Sequence, residues 1–159
     1  MKKPTKQLAD AVSPLESGPC NCLALRQATR HVTQLYERHM AAAGLRSSQF
    51  SILSKLSRLG PLSINQLAAM MVMDRTTMGR AVRPLERDGL IAMSAGRDDA
   101  RTRIIRLTPA GAKKYEEAAA LWRNAQEEFE HAFGSGNART LRETMARIVS
   151  AVPGGAAEV

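Results

Sequence analysis

Between Leu90 and Leu107 the spacing of apolar residues changes from three or four to two, while both flanks keep helical spacing. A chain with that pattern can build only a small sheet inside a mainly helical body. Leu90-Ile91-Ala92-Met93-Ser94 reads as one strand. Thr102-Arg103-Ile104-Ile105-Arg106-Leu107 reads as its partner, with Ile105 and Leu107 on one face. The segment between them, Ala95 to Arg101, holds turn residues and charges. The expected result is a β-hairpin with a basic tip.

The flanks divide into helices by their caps and stops. A first helix is expected from about Cys20 to Ala43, with Leu25, Ala28, Val32 and Leu35 on one face and Gly44 as its stop. Ser47 or Ser48 can cap a second, marked by Phe50, Leu53 and Leu56 and ended by Gly60-Pro61. A short third helix starts at a Ser63 cap and carries Ile64, Leu67, Ala68 and Met71. A fourth starts at Asp74 and runs through Val82 and Leu85 to Gly89. After the hairpin, Thr108-Pro109 is a cap with proline at the first helical position. It opens a long helix through Tyr115, Trp122, Phe129 and Phe133. Gly134-Ser135-Gly136 breaks that helix before a last one with Leu141, Met145, Ile148 and Val152 on one stripe.

Residues 1–19, with Pro4, Pro14, Gly18 and Pro19, are expected to form a disordered arm, and residues 153–159 a flexible tail. Residues 20–152 then form one domain. Apolar stripes on the first and last two helices exceed what a chain of this length can cover, which points to a homodimer. The dimerisation helices are about 20–44 and 108–152, and the lobe between them covers about 47–107.

The third helix, the turn Val72-Met73-Asp74 and the fourth helix make a helix-turn-helix followed by a hairpin wing. In such a pair the second helix enters the major groove of duplex DNA. Its first turns carry Arg75, Thr76, Thr77, Gly79 and Arg80. Arginine pairs bidentately with guanine, and threonine bonds bases or phosphates or meets a thymine methyl. Gly79 is expected to let the backbone come close to DNA. Ser63, at the start of the helix that crosses the DNA backbone, joins this set, as does Arg97 in the wing. Pro84 removes the hydrogen bond to the carbonyl of Arg80 and predicts a kink beyond the reading residues.

Charge agrees with that reading. The chain has 23 Lys and Arg against 15 Asp and Glu, a net +8. Between Arg75 and Arg106 lie eight arginines, no lysine and four acids, so half the surplus sits in one fifth of the chain. Arginine alone suits bidentate phosphate contacts and insertion into a narrow minor groove. No apolar run approaches the roughly 20 residues that span a bilayer, and no apolar stretch follows Lys2, Lys3 and Lys6, so neither membrane nor secretion is expected. With only Cys20 and Cys22, the expected compartment is the reducing cytoplasm.

The stretch Asp99-Ala100-Arg101, continuing to Leu107-Thr108-Pro109-Ala110-Gly111, resembles the wing signature D-x-R … L-T-x-x-G of MarR-type regulators. Leu85-Glu86-Arg87-Asp88-Gly89-Leu90-Ile91 is similar to that family's L-E-x-x-G-L-I. The resemblance covers roughly residues 20–150. It implies a winged helix-turn-helix dimer on a palindromic operator, with an effector pocket between the dimer region and the DNA-binding lobe. By family role, Arg101 enters the minor groove and Asp99 orients it. No cofactor is implied.

The first helix leaves readings open. Cys22 and the residues after it look like the first helix of the family's organic-hydroperoxide sensors, whose reactive cysteine occupies that position. Tyr36 matches one of their tyrosines, whereas the other expected positions read Arg26 and Ser47. Near Arg26 at a helix start, Cys22 could react as thiolate. It could instead be a small apolar residue at a dimer seam, or join Cys20 with His31 or His39 around zinc. A disulfide between Cys20 and Cys22 within one chain would be strained. Arg26, Arg30, Tyr36 and His39 form a cationic, hydrogen-bonding set suited to a small anionic aromatic or acyl effector. Arg30 could instead make an intersubunit ion pair. A repressor released by such a ligand is therefore expected, with thiol sensing through Cys22 as the alternative. A thiol peroxidase lacks the supporting His, Asp or metal set. Single-strand binding by base stacking is disfavoured by an aromatic content of 4%.

Overall fold

A computed structural model describes residues 20–96 and 101–152. Helix α1 spans Asn21–Met40 and passes through a 3₁₀ turn at Ala41–Ala43 into Gly44, whose φ of 64° is the left-handed conformation that ends it. Helix α2 covers Ser47–Leu59, strand β1 Leu62–Ser63, α3 Ile64–Met70 and α4 Arg75–Arg87. Strands β2 (Ile91–Ala95) and β3 (Arg103–Leu107) form the hairpin, followed by α5 (Pro109–Phe133) and α6 (Ser135–Ala151). The fold is mainly helical with a small antiparallel sheet, the winged-helix plan expected.

Several caps sit where the sequence puts them. Thr108 Oγ1 accepts the Gly111 N–H at 3.0 Å, with Pro109 at the first helical position. Four local readings are corrected. Neither Ser47 nor Ser48 is the N-cap of α2, because Arg46 holds that place and Ser47 is the first helical residue. Glu37 of α1 explains the shift: its Oε1 accepts both the Ser47 N–H (2.8 Å) and the Ser47 hydroxyl (2.6 Å), so the cap comes from another helix. The first hairpin strand lies one residue later than read. Gly134 alone breaks the last two helices (φ 90°), and Ser135 and Gly136 belong to α6. The sheet also has a third strand, in the order β1-β3-β2. Leu62 pairs with Ile105 and Ser63 with Ile104.

The core lies in the lobe. Ile52, Leu53 and Leu56 of α2, Leu67 of α3, Met78, Val82 and Leu85 of α4 and Ile105 of β3 are essentially solvent-free. Burying each such side chain favours folding by about 1.5–3 kcal/mol, so the four elements are held as one body. Phe50 joins α2 to α5, stacked between Tyr115 and Trp122 with ring centroids 5.5 and 5.9 Å apart. By contrast, α1 buries only Met40 and α6 only Ala138.

Candidate nucleic-acid interface

Helices α3 and α4 and the turn between them form the helix-turn-helix. Ser63 and Gln66 build a capping box: Ser63 Oγ accepts the Gln66 N–H at 3.1 Å, and the Ser63 N–H donates to Gln66 Oε1 at 2.8 Å. The turn contains Val72, a β-branched residue at φ 53° and 70% exposed. Holding such a residue in the left-handed region costs on the order of 1–3 kcal/mol, which the surrounding core must offset. Asp74 then caps α4. Its Oδ1 accepts the Thr77 N–H at 2.8 Å and its Oδ2 the Thr77 hydroxyl at 2.6 Å. The Thr77 hydroxyl bond, and then its backbone bond, hold the Asp74 carboxyl below its ordinary range. The cap is therefore complete at neutral pH and weakens only as pH falls through that lowered value.

One face of α4, with Met78, Val82 and Leu85, is buried against α2 and α3. The opposite face carries Thr76, Arg80 and Arg83 at i, i+4 and i+7, all exposed. Neither these three nor exposed Arg75 forms a side-chain hydrogen bond or ion pair with the described residues, so their donors face outward uncommitted. Arg83 was not among the reading residues expected from the sequence. Its signal was the spacing, obscured by Pro84, yet α4 continues through Pro84 to Arg87. Thr77 differs from the expected pattern, because its hydroxyl proton is already given to Asp74. Gly79 is also corrected. A Cβ there would lie 3.7 Å from Ile64 Cδ1 of α3, so this glycine faces the inside of the helix pair rather than DNA.

The hairpin follows α4, and its strand β2 packs against that helix. Arg97 and Asp99 lie outside the described residues. Arg101, Arg103 and Arg106 are exposed, and Arg106 Nη2 donates to Ser94 Oγ at 2.9 Å across the strands. The wing's base is locked to α5. Thr108 Oγ1 donates to the Gly89 carbonyl at 2.7 Å, and the Thr108 N–H donates to the Leu90 carbonyl at 3.1 Å. Gly111 fits under that carbonyl: a Cβ there would stand 1.9 Å from Leu90 O. The L-T-x-x-G signature is thus a steric and hydrogen-bonding lock.

The residues singled out on α1 separate into two places. Arg26 and Arg30 are exposed along a groove between the first half of α1 and α6, lined also by Cys22, Leu25, Leu141 and Met145. Tyr36 and His39 lie further along α1 and are turned to α5. Tyr36 Oη donates to Gln126 Oε1 at 2.5 Å, and Gln126 Nε2 donates to Glu130 Oε1, which also accepts from Arg142 of α6 at 2.9 Å. Partial burial, and then the Glu130 charge, raise the Tyr36 pKa, keeping it a donor. His39 Nε2 and Arg38 Nη2 share Glu128, at 2.7 and 3.1 Å. Arg26 and His39 are 13 residues apart on one helix, about 20 Å, too far for one small ligand in one chain. The same rise puts Tyr36 about 21 Å and His39 about 25 Å from Cys22, and His31 about 14 Å away. Within one subunit these residues of α1 therefore form neither a tyrosine-held thiolate nor a zinc site. Cys20 and Cys22 are exposed free thiols, and Cys20 Sγ accepts the Leu23 N–H at 3.4 Å, capping α1. No group of three metal-ligating side chains occurs among the described residues, and none of the described helices is long and apolar enough to cross a membrane.

Comparison with known proteins gives this geometry a context. The MarR family profile matches residues 45–102, which hold α2, the helix pair and the first wing strand β2. The HTH-type transcriptional regulator YwoH of Bacillus subtilis is 29% identical over 93 residues, covering 58% of this chain and 67% of YwoH. The structure of the M. tuberculosis transcriptional regulator MosR in complex with DNA is similar at 34% identity and a TM-score of 0.75, over 83% of this chain and 95% of that one. A probable transcriptional regulator from Pseudomonas aeruginosa is similar at 32% identity and a TM-score of 0.72, over 79% of this chain and 93% of that one.

Proposed function

The chain belongs to the MarR family of transcriptional regulators, and on that premise we propose that it is a cytoplasmic homodimeric repressor of a palindromic DNA operator. One observation carries the reading: Thr76, Arg80 and Arg83 form an exposed stripe, without a side-chain partner among the described residues, on the outer face of the second helix of a helix-turn-helix. Free guanidinium forks in that position suit guanine edges in the major groove. Arg75 and Ser63 flank the stripe, and Arg97, Asp99 and Arg101 complete the interface from the wing. MosR was solved with DNA, which favours the same partner here.

The second subunit covers α1 and α6. Leu23, Val149 and Val152 are 43%, 61% and 58% exposed in the single chain, a large apolar surface for two helices at one end of a molecule. Dimerisation places two reading heads for half-sites about 34–36 Å apart. Selection of bound sequences from a random duplex pool tests the operator, and sedimentation at micromolar concentration tests the dimer. A pool that yields no palindrome, or a monomer, overturns the proposal.

The wing supplies affinity rather than base choice. Arg101→Ala is expected to weaken binding on all sequences alike. It should also lower the magnitude of the slope of log K against log salt by about 0.9 per half-site. A slope and affinity equal to wild type would remove Arg101 from the interface.

The effector is a small organic anion held by Arg26 and Arg30 against the apolar wall of α6. Tyr36 and His39 join the α1–α5 clamp instead. Benzoate and octanoate serve as aromatic and acyl probes. At millimolar concentration either should release labelled operator from the wild type but not from the Arg26→Ala/Arg30→Ala variant. Release that persists in the variant would take the site away from these arginines. If hydroperoxide releases operator from the wild type and not from Cys22→Ser, the thiol is the sensor and the ligand reading fails.

A further inference from the structure

The Asp74–Thr77 pair has a consequence for which bases the reading head accepts. A carboxylate only accepts hydrogen bonds. With the Thr77 hydroxyl donating to Asp74 Oδ2 at an O–O distance of 2.6 Å, that hydroxyl has only lone pairs left to offer. The Thr77 N–H is likewise consumed by Asp74 Oδ1. Both residues are exposed at the first turn of α4, where a recognition helix meets base edges. The corner therefore presents oxygen acceptors and no side-chain donor, while Arg75, Thr76 and Arg80 around it present donors.

We infer that Asp74 and Thr77 form an acceptor-only corner that reads the exocyclic amino group of cytosine or adenine at one base pair of each half-site. Guanine and thymine present acceptors at the corresponding major-groove edge: O6 and N7, and O4. Facing oxygens with no proton between them repel, so the corner rejects those bases on the strand it faces. Asp74 acts directly as a reader and, by fixing the Thr77 rotamer, as a positioning residue. The inference rests on the operator-binding reading above and deepens it at one position.

The test uses the full-length dimer and half-sites selected from a random duplex pool. Wild type is expected to prefer cytosine or adenine over guanine or thymine by about tenfold at one position of each half-site. Asp74→Asn keeps a good helix cap, because asparagine caps as well as aspartate. It also places an amide donor in the corner, so the preference at that single position should be lost or reversed. Thr77→Val, which has no lone pair, should flatten the preference there, and Thr77→Ser, which keeps the bond to Asp74, should restore it. An unchanged preference in both Asp74→Asn and Thr77→Val overturns the inference. So does loss of the preference in Thr77→Ser with retention in Thr77→Val, which would assign the contact to the methyl group. Circular dichroism melts confirm that each variant is folded. A wild-type pool with no selected sequence would refute operator binding itself, an outcome distinct from either result.

Discussion

Replacing Gly111 by alanine is expected to lower the melting temperature by roughly 10 °C, a loss of about 3 kcal/mol or more in a domain of this size. The cause is local and rigid. The new methyl would meet the Leu90 carbonyl oxygen at 1.9 Å and its carbon at 2.8 Å. Both are backbone atoms, and that carbonyl is already bonded to the Thr108 N–H. Relief requires the start of α5 to lift from the turn after α4, which breaks the Thr108 bond to Gly89 and uncovers Leu90 and Leu107. Circular dichroism melts of wild type and Gly111→Ala compare the two directly. A melting temperature within about 2 °C of wild type would show that α5 can move aside cheaply and that the lock is not rigid.

Arg80→Ala is expected to abolish sequence preference around the position it reads while leaving the fold intact. Its guanidinium has no partner among the described residues, so its removal uncovers nothing inside the protein. Each lost bidentate base contact costs about 1–3 kcal/mol, and a symmetric dimer loses two, so operator affinity should fall by at least about 30-fold. Arg80→Lys should fall between, because an ammonium cannot make the paired contact. Fluorescence anisotropy with the selected operator, at one fixed salt concentration, gives the comparison. An Arg80→Ala affinity within about threefold of wild type would mean that α4 does not enter the groove at this residue.

Legibility from sequence followed the reach of each interaction. Ser63, Asp74 and Thr108 were readable as caps because each side chain meets a backbone N–H three residues away. The hairpin was readable because Gly89 and Pro109 bound an alternating segment. Strand β1 was not, since Leu62 and Ser63 become a strand only by pairing with Ile105 and Ile104, more than forty residues on. The partners of Tyr36 and His39 were hidden for the same reason: Gln126 and Glu128 lie 90 and 89 residues later. Gly79 looked like a point of approach to DNA, but its neighbour Ile64 belongs to the other helix of the pair. Ser47 was misread as a cap because the acceptor that claims it, Glu37, belongs to the preceding helix.

The stripe of Thr76, Arg80 and Arg83 bears on how such a protein diverges. Its side chains have no hydrogen-bond or ion-pair partner among the described residues, so on the proposed reading a substitution among them would change which promoter is recognised at almost no cost to folding. Gly111, Thr108 and Glu37 have no such latitude. After a gene duplication, the two copies can drift to different target genes through a few single-codon steps on this face, each step leaving a folded protein, while the frame beneath stays fixed.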